Sequence, residues 1–220
     1  MTQSTLSFFK PRLAAAALAA TAVLGLATPA HAVFTTYTNA GLWAAALAQP
    51  VTTIDFDGLA DGTPLASQYA GVTFSPFNGG NPLAKNFSFA QSGLNIVTLG
   101  TPPLTGGGGG VAMAFSAPAK GVGFWYLDSE FAGNNVAVYD KANQLLGTYQ
   151  MAFPAPAAWR FVGFTSSSAD IGRIEVAIGA ADMVALDTLQ IAAVPEPATA
   201  LLMLLGGLGL VVRRLGARHD

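Results

Sequence analysis

Between residues 51 and 191 the chain is cut into short apolar runs of four to eight residues, each bounded by Gly, Pro or Asn, and this punctuation limits the fold more than any other feature. Runs that brief do not make helices of ordinary length, and turn residues recurring every 8 to 12 positions or so mark strands folded back on one another. Strands are expected near 51–56, 71–75, 86–90, 94–99, 111–116, 122–128, 135–140, 145–150, 159–165, 171–178 and 184–191. Ile174, Val176 and Ile178 alternate with Arg173, Glu175 and Ala177, and Val136 with Val138 repeats the pattern, so one face of each strand is core and the other meets water. The expected fold is mainly β, a single antiparallel β-sandwich. One short helix-like stretch, 39–49, precedes it, with Thr38 or Asn39 as cap.

The two ends of the 220-residue chain are apolar in another way. Lys10 and Arg12 precede an uncharged run over 13–27, and Ala30 and Ala32 supply small residues where a signal peptidase reads, so 1–32 reads as a signal peptide cut before Val33. At the other end 198–212 is uncharged, and Arg213 and Arg214 stop it. As a helix this run spans roughly 22 Å against a hydrocarbon core of about 30 Å. Such a short transmembrane helix crosses only with snorkelling arginines and local thinning of the bilayer. Pro195 and Pro197 prevent it from starting earlier. Export of the body leaves the basic tail in the cytoplasm, in line with the positive-inside tendency. The expected organisation is a signal peptide over 1–32, an exported domain over 33–193 and an anchor over 194–220.

Val194, Pro195, Glu196 and Pro197, then the Leu- and Gly-rich run, then Arg213 and Arg214, together resemble the PEP-CTERM sorting signal of exported Gram-negative bacterial proteins. The resemblance implies recognition by an exosortase, an integral membrane transpeptidase-like enzyme, with cleavage near the tripeptide and delivery to the cell surface or an extracellular polysaccharide matrix. An ordinary tail anchor is the alternative. In the body, the stretches 54–59, 68–74, 121–125, 136–140, 161–164 and 185–189 are similar to jelly-roll domains often found on PEP-CTERM proteins and to carbohydrate-binding sandwiches. This implies a jelly-roll arrangement of the sandwich.

Composition excludes much chemistry. Residues 33–193 hold ten acidic and five basic residues, a net charge near minus five with no basic cluster, which disfavours nucleic acid and anionic lipid as partners. The chain has no cysteine, and its two histidines, His31 and His219, lie in the signal peptide and the tail. The exported body thus lacks imidazole and thiol, so histidine- or cysteine-based nucleophile pairs, zinc and copper sites on those ligands, and disulfides are all ruled out there. Carboxylate, hydroxyl and amide chemistry remain. The Gly-rich stretch 101–110 reads as a flexible connection rather than a phosphate loop, since no Lys-Ser/Thr and no helix pattern follows it.

Three sets of candidates follow. Asp187 shares strand parity with Leu189 and Ile191, and Asp55 and Asp57 close the first strand. If first and last strands pair antiparallel, the three carboxylates converge, which suits a structural calcium ion wanting six to eight oxygens. Otherwise they are solvated turn aspartates, or Asp187 accepts backbone hydrogen bonds. Trp125 and Tyr126 alternate across one strand, so one faces the core, and Trp159 stands beside Arg160. Any exposed ring among the three is a candidate for stacking on a sugar face. Asp128 and Glu130 share strand parity, which leaves a carboxylate-dependent glycan-processing enzyme as the alternative. The function expected is a noncatalytic exported surface or matrix protein contacting exopolysaccharide, with signal peptidase, exosortase and the cytoplasmic membrane as processing partners.

Overall fold

The computed structural model describes residues 33–79, 81–99, 109–151, 158–179 and 182–193. The segments assigned to the signal peptide and the sorting signal fall outside them. In chain order the elements are β1 (Phe34–Tyr37), α1 (Ala40–Leu47), β2 (Thr52–Ile54), β3 (Val72–Pro76), β4 (Leu83–Asn86), β5 (Asn95–Thr98), β6 (Gly109–Leu127), β7 (Asn135–Asp140), β8 (Leu145–Gln150), β9 (Arg160–Ser166), β10 (Ile171–Ile178) and β11 (Ala185–Ala193). Among the described residues no helix is long and apolar enough to cross a membrane.

All strand pairs are antiparallel, and the long strand β6 turns one hydrogen-bonded sheet into two layers. Over its first part β6 lies between β10 and β3, with Val176 opposite Val111 and Phe74 opposite Met113. From Gly121 onward its neighbours are β9 and β11, with Val122 opposite both Phe164 and Ile191. The exchange falls around Pro118, which lacks the N–H an unbroken ladder needs and so fits a corner where a strand passes from one layer to the other. One layer therefore runs β8-β7-β10-β6-β3. The other runs β1-β9-β6-β11, with β2 and the β5-β4 pair along the far side of β11. The sequence reading placed two strands, 111–116 and 122–128, where this single strand runs. It also missed β1, and it set a strand at 86–90 where the ladder is Leu83–Asn86 and the chain then turns.

The core lies between the layers. Val111, Met113, Val136, Val138, Ile174 and Val176 face Val122, Phe124, Val162, Phe164, Leu186 and Leu189, all buried in one cluster. Each such side chain contributes roughly 1.5–3 kcal/mol by leaving water. Two phenols close one end of the core, the Tyr126 and Tyr149 hydroxyls meeting at 3.2 Å across the layers.

α1 covers part of the outer face of the second layer. Asn39 caps it, its Oδ1 accepting the Leu42 N–H at 3.0 Å, and Ala48 ends it in the left-handed region at φ 52°. Its Trp43 and Leu47 pack on Phe161 and Ala192, and the Trp43 indole N–H donates to the Phe164 carbonyl at 3.1 Å. The helix can lie this close because the strands beneath carry Gly121 and Gly163. A Cβ on Gly121 would come 2.5 Å from the Leu47 side chain, and one on Gly163 would come 2.6 Å from the Trp43 ring.

Candidate functional site

The outer face not covered by α1 carries the site, and strand register builds it. Leu83 pairs with Thr98, Thr98 with Ala185 and Ala185 with Leu127, which makes a row across four strands. The next outward positions are Lys85, Ile96 and Trp125, the last opposite Phe161 on β9. Above this face runs the segment 87–94, bearing Phe87, Phe89 and Leu94, of which Phe89 is 74% exposed.

Two aspartates hold that segment down. Asp57 Oδ1 accepts the backbone N–H groups of Leu94 at 2.7 Å and Asn95 at 2.8 Å. Asp187, fully buried, accepts the Ser92 N–H at 2.9 Å, the Ser92 hydroxyl at 3.2 Å and the Thr188 N–H at 2.6 Å. Burial pushes the Asp187 carboxyl above its ordinary pKa, and the Ser92 and Thr188 donors pull it part of the way back. Gly93, at φ 53°, passes so close to Asp57 that a Cβ would fall inside its carboxylate.

The strand that holds Ile54, which is β2 and not the first, does pair antiparallel with the last strand, β11, Ile54 lying opposite Leu189. The three carboxylates nevertheless do not converge. Asp55 Oδ1 turns back to the Asp57 N–H at 3.2 Å, and the other two are taken up by the 92–95 backbone. Among the described residues no group of three or more acidic, imidazole or thiol side chains is placed to hold a metal ion. Nor does Asp187 share a row with Leu189. The register slips between Asp187 and Gln190, Thr188 has φ 51°, and this bulge sends Asp187 outward while Leu186 and Leu189 both point into the core.

A second buried carboxylate shapes the same end of the molecule. Asp182 Oδ2 accepts the N–H groups of Glu130 at 3.0 Å and Phe131 at 3.1 Å as well as the Asn134 side-chain amide, while its Oδ1 accepts the Met183 N–H at 2.7 Å. It ties the turn after β6 to the approach of β11. β6 ends at Leu127, and Asp128 takes a left-handed φ of 68°, so the strand parity expected to align Asp128 with Glu130 does not apply. Asp128 is half-buried in the cleft wall, whereas Glu130 is exposed.

Three clefts adjoin on this face. The first, about 350 Å³, is floored by Leu83, Ile96, Thr98 and Ala185 and walled by Phe87, Leu127 and Asp128. The second, about 580 Å³, shares Phe87, Leu127 and Asp128 with it and continues past Phe89 to Trp159. The third, about 350 Å³, lies on the other side of Trp159, between Trp125, Tyr126, Tyr149 and Arg160 and the amino end of α1. It exists because β1 pairs with β9 only from Gly163 onward and then turns into α1, leaving the Arg160–Phe161 end of β9 uncovered. The Trp159 indole N–H donates to the Phe89 carbonyl at 2.6 Å, which fixes both the ring and the segment beside it.

Trp125, Tyr126 and Trp159, candidates scattered in sequence, thus line one pocket. Tyr126 is the core-facing member of its pair and Trp125 the half-buried outer one. Phe87, Phe89, Arg160 and Asp182 went unsuggested by the sequence. Asn86 and Gly93 bound the Phe87–Phe89 stretch and were the available sign of a loop. Ala30, Ala32, the 194–197 motif, Arg213 and Arg214 lie outside the described residues.

No family profile and no curated protein sequence matches the chain significantly. Solved structures similar in outline include the K2 cleaved adhesin domain of Lys-gingipain, at 13% identity over 65% of this chain and 99% of that chain, with a TM-score of 0.45. The arabinose-bound MgGH51 α-L-arabinofuranosidase is 14% identical over 63% of this chain and 25% of its own, with a TM-score of 0.45. The family 29 carbohydrate-binding module CBM29_1 of Piromyces equi is 10% identical over 65% of this chain and 91% of its own, with a TM-score of 0.40. Likeness at that level leaves function to the geometry of the chain itself.

Proposed function

We propose that the protein is a noncatalytic exported surface or matrix protein whose jelly-roll-like sandwich binds polysaccharide along the three adjoining clefts. The observation that supports this most is the spacing of rings on one face, Phe87 and Phe89 on the anchored segment and Trp159 and Trp125 beyond it. Rings fixed in this way offer apolar faces to sugar C–H groups, while Asp128, Lys85 and Arg160 stand between them to take hydroxyls. A preformed groove also avoids the ordering cost a flexible loop would incur on binding.

Delivery by signal peptidase and exosortase, through Ala30, Ala32 and the Val194–Pro197 motif with Arg213 and Arg214, belongs to the same proposal and rests on those residues alone. The mass of the mature protein recovered from cells checks it, since cuts before Val33 and near Pro197 are expected; an intact chain would refute it. For the groove, glycan-array binding by the wild-type protein is expected to fall about tenfold or more in Trp159→Ala, comparable to the loss of one buried aromatic contact, with no reducing ends released. Release of reducing ends that disappears in Asp128→Asn would instead support a glycan-processing enzyme.

A further inference from the structure

Arg160 is placed unlike the other basic residues of the body. Lys85 pairs with Asp61 at 3.3 Å, Lys120 donates to the Leu47 carbonyl at 2.9 Å, Lys141 to the Phe115 carbonyl at 2.6 Å, and Arg173 reaches Glu175 and the ring of Tyr139. Among the described residues no carboxylate pairs with the Arg160 guanidinium, and its Nε, like that of Arg173, is buried without an acceptor. A guanidinium is always charged and presents a planar fork of donors, so this one, half-buried beside aromatic side chains and without a carboxylate partner, has donors to offer an acceptor that enters the pocket. The 350 Å³ pocket it lines lies between Trp125 and Trp159, with Thr38, Asn39 and Ala40 on the opposite rim. That rim is the positive end of α1, and no acidic residue lines the pocket. Across Trp159 the sign changes, because the neighbouring cleft carries Asp128 and no base.

Resting on the glycan-binding reading, we infer that the Arg160 pocket takes the carboxylate of one acidic sugar, with neutral sugars continuing across Trp159 to Phe89 and Phe87. The carboxylate lies bidentate on the guanidinium, and the ring carrying it is held between the two indoles. A single acidic residue in an otherwise neutral chain fits better than a polyuronate. The body bears ten acidic against five basic residues, and Asp128 would repel a second carboxylate placed beyond Trp159.

The test is an array of neutral xylan, mannan, glucan and galactan oligosaccharides beside counterparts of the same backbones bearing one glucuronate, galacturonate or pyruvate ketal, probed with the 33–193 domain and with the full chain. The strongest binders are expected to carry the carboxylate, with an advantage over the neutral counterpart of about tenfold or more, what one charge-assisted hydrogen bond contributes. Arg160→Gln is expected to erase that advantage, bringing each acidic ligand down to the level of its neutral counterpart, Arg160→Lys to keep part of it, and Trp159→Ala to weaken both ligands. Added salt is expected to shrink the advantage alone. Thermal melting checks that each variant is folded, and the Lys variant preserves the test if the Gln variant is not. Neutral binders leading the array, or an advantage untouched in both Arg160 variants, overturns this inference and leaves glycan binding standing. Binding to no glycan overturns both.

Discussion

If Asp57 fixes the 87–94 segment and Gly93 is glycine because of that carboxylate, then the two positions must be energetically coupled. Asp57→Ala removes an acceptor from the Leu94 and Asn95 N–H groups. Hydrogen bonds to a charged acceptor contribute about 1.5–3 kcal/mol each, and with Asp57 exposed, water recovers part of that, so the expected cost is about 2–3 kcal/mol. Gly93→Ala places a Cβ where the carboxylate stands and must also hold a left-handed φ, so it forfeits the same two bonds and adds about 1 kcal/mol of backbone strain. The double variant has no carboxylate left to expel, and only that strain of about 1 kcal/mol should be added to Asp57→Ala. Urea denaturation of the wild-type domain, both single variants and the double variant, followed by tryptophan fluorescence, measures the cycle. A coupling of about 2 kcal/mol is expected, and costs that add to within about 0.5 kcal/mol would refute the account of both residues. The same variants should lose affinity for whichever glycan the wild-type binds, because Phe87 and Phe89 ride on the released segment.

Asp182→Ala strips the acceptor from the Glu130, Phe131 and Met183 amides and from Asn134, and should destabilise the domain by about 3 kcal/mol or more; a loss below about 1 kcal/mol in the same assay would show that water replaces the carboxylate. Acid should act on Asp61 and Asp187 in opposite directions. The Asn86 N–H and then the Lys85 ammonium hold the Asp61 carboxyl below its ordinary 3.8, so its contribution to stability is present above that value and is lost as pH falls through the lowered one; Asp61→Asn should flatten the acid limb of urea midpoint against pH. Asp187, raised by burial, costs stability when ionised, and the cost is relieved as pH falls through its folded pKa toward 3.8; Asp187→Asn should remove that relief, and an unchanged slope on the acid side above 3.8 would contradict the assignment. Because Asp57 and Asp187 are occupied by N–H donors, a chelator should leave the melting temperature where it was, and a fall of several degrees would restore calcium to the account.

Period-two alternation made β7 and β10 legible, because Val136 and Val138, and Ile174, Val176 and Ile178, are the core-facing positions of their strands, although each ladder slips register once. The helix start was readable to within one residue, as Thr38 or Asn39, and the structure gives the cap to Asn39 through a local hydrogen bond between residues three apart. β6 was not. Pro118 and Gly121 are turn formers by residue type, and only partners on both flanks show that the strand runs through them into the other layer. The bulge at Thr188 was hidden for the opposite reason. Threonine is a good strand former, so nothing in its type announces a left-handed φ, and the parity argument for Asp187 failed there.

Composition and periodicity alone settled an antiparallel β body without imidazole or thiol, because those are properties of residue type and of near neighbours along the chain. Which rings share a pocket, which carboxylates are satisfied by backbone amides, and which arginine lacks a partner were decided only by the folded sheet. Trp125 and Trp159 flank one cavity, and Asp187 meets Ser92, through pairings across strands far apart in the chain. The fold sets those meetings by register, and a single bulge is enough to turn a side chain to the opposite face.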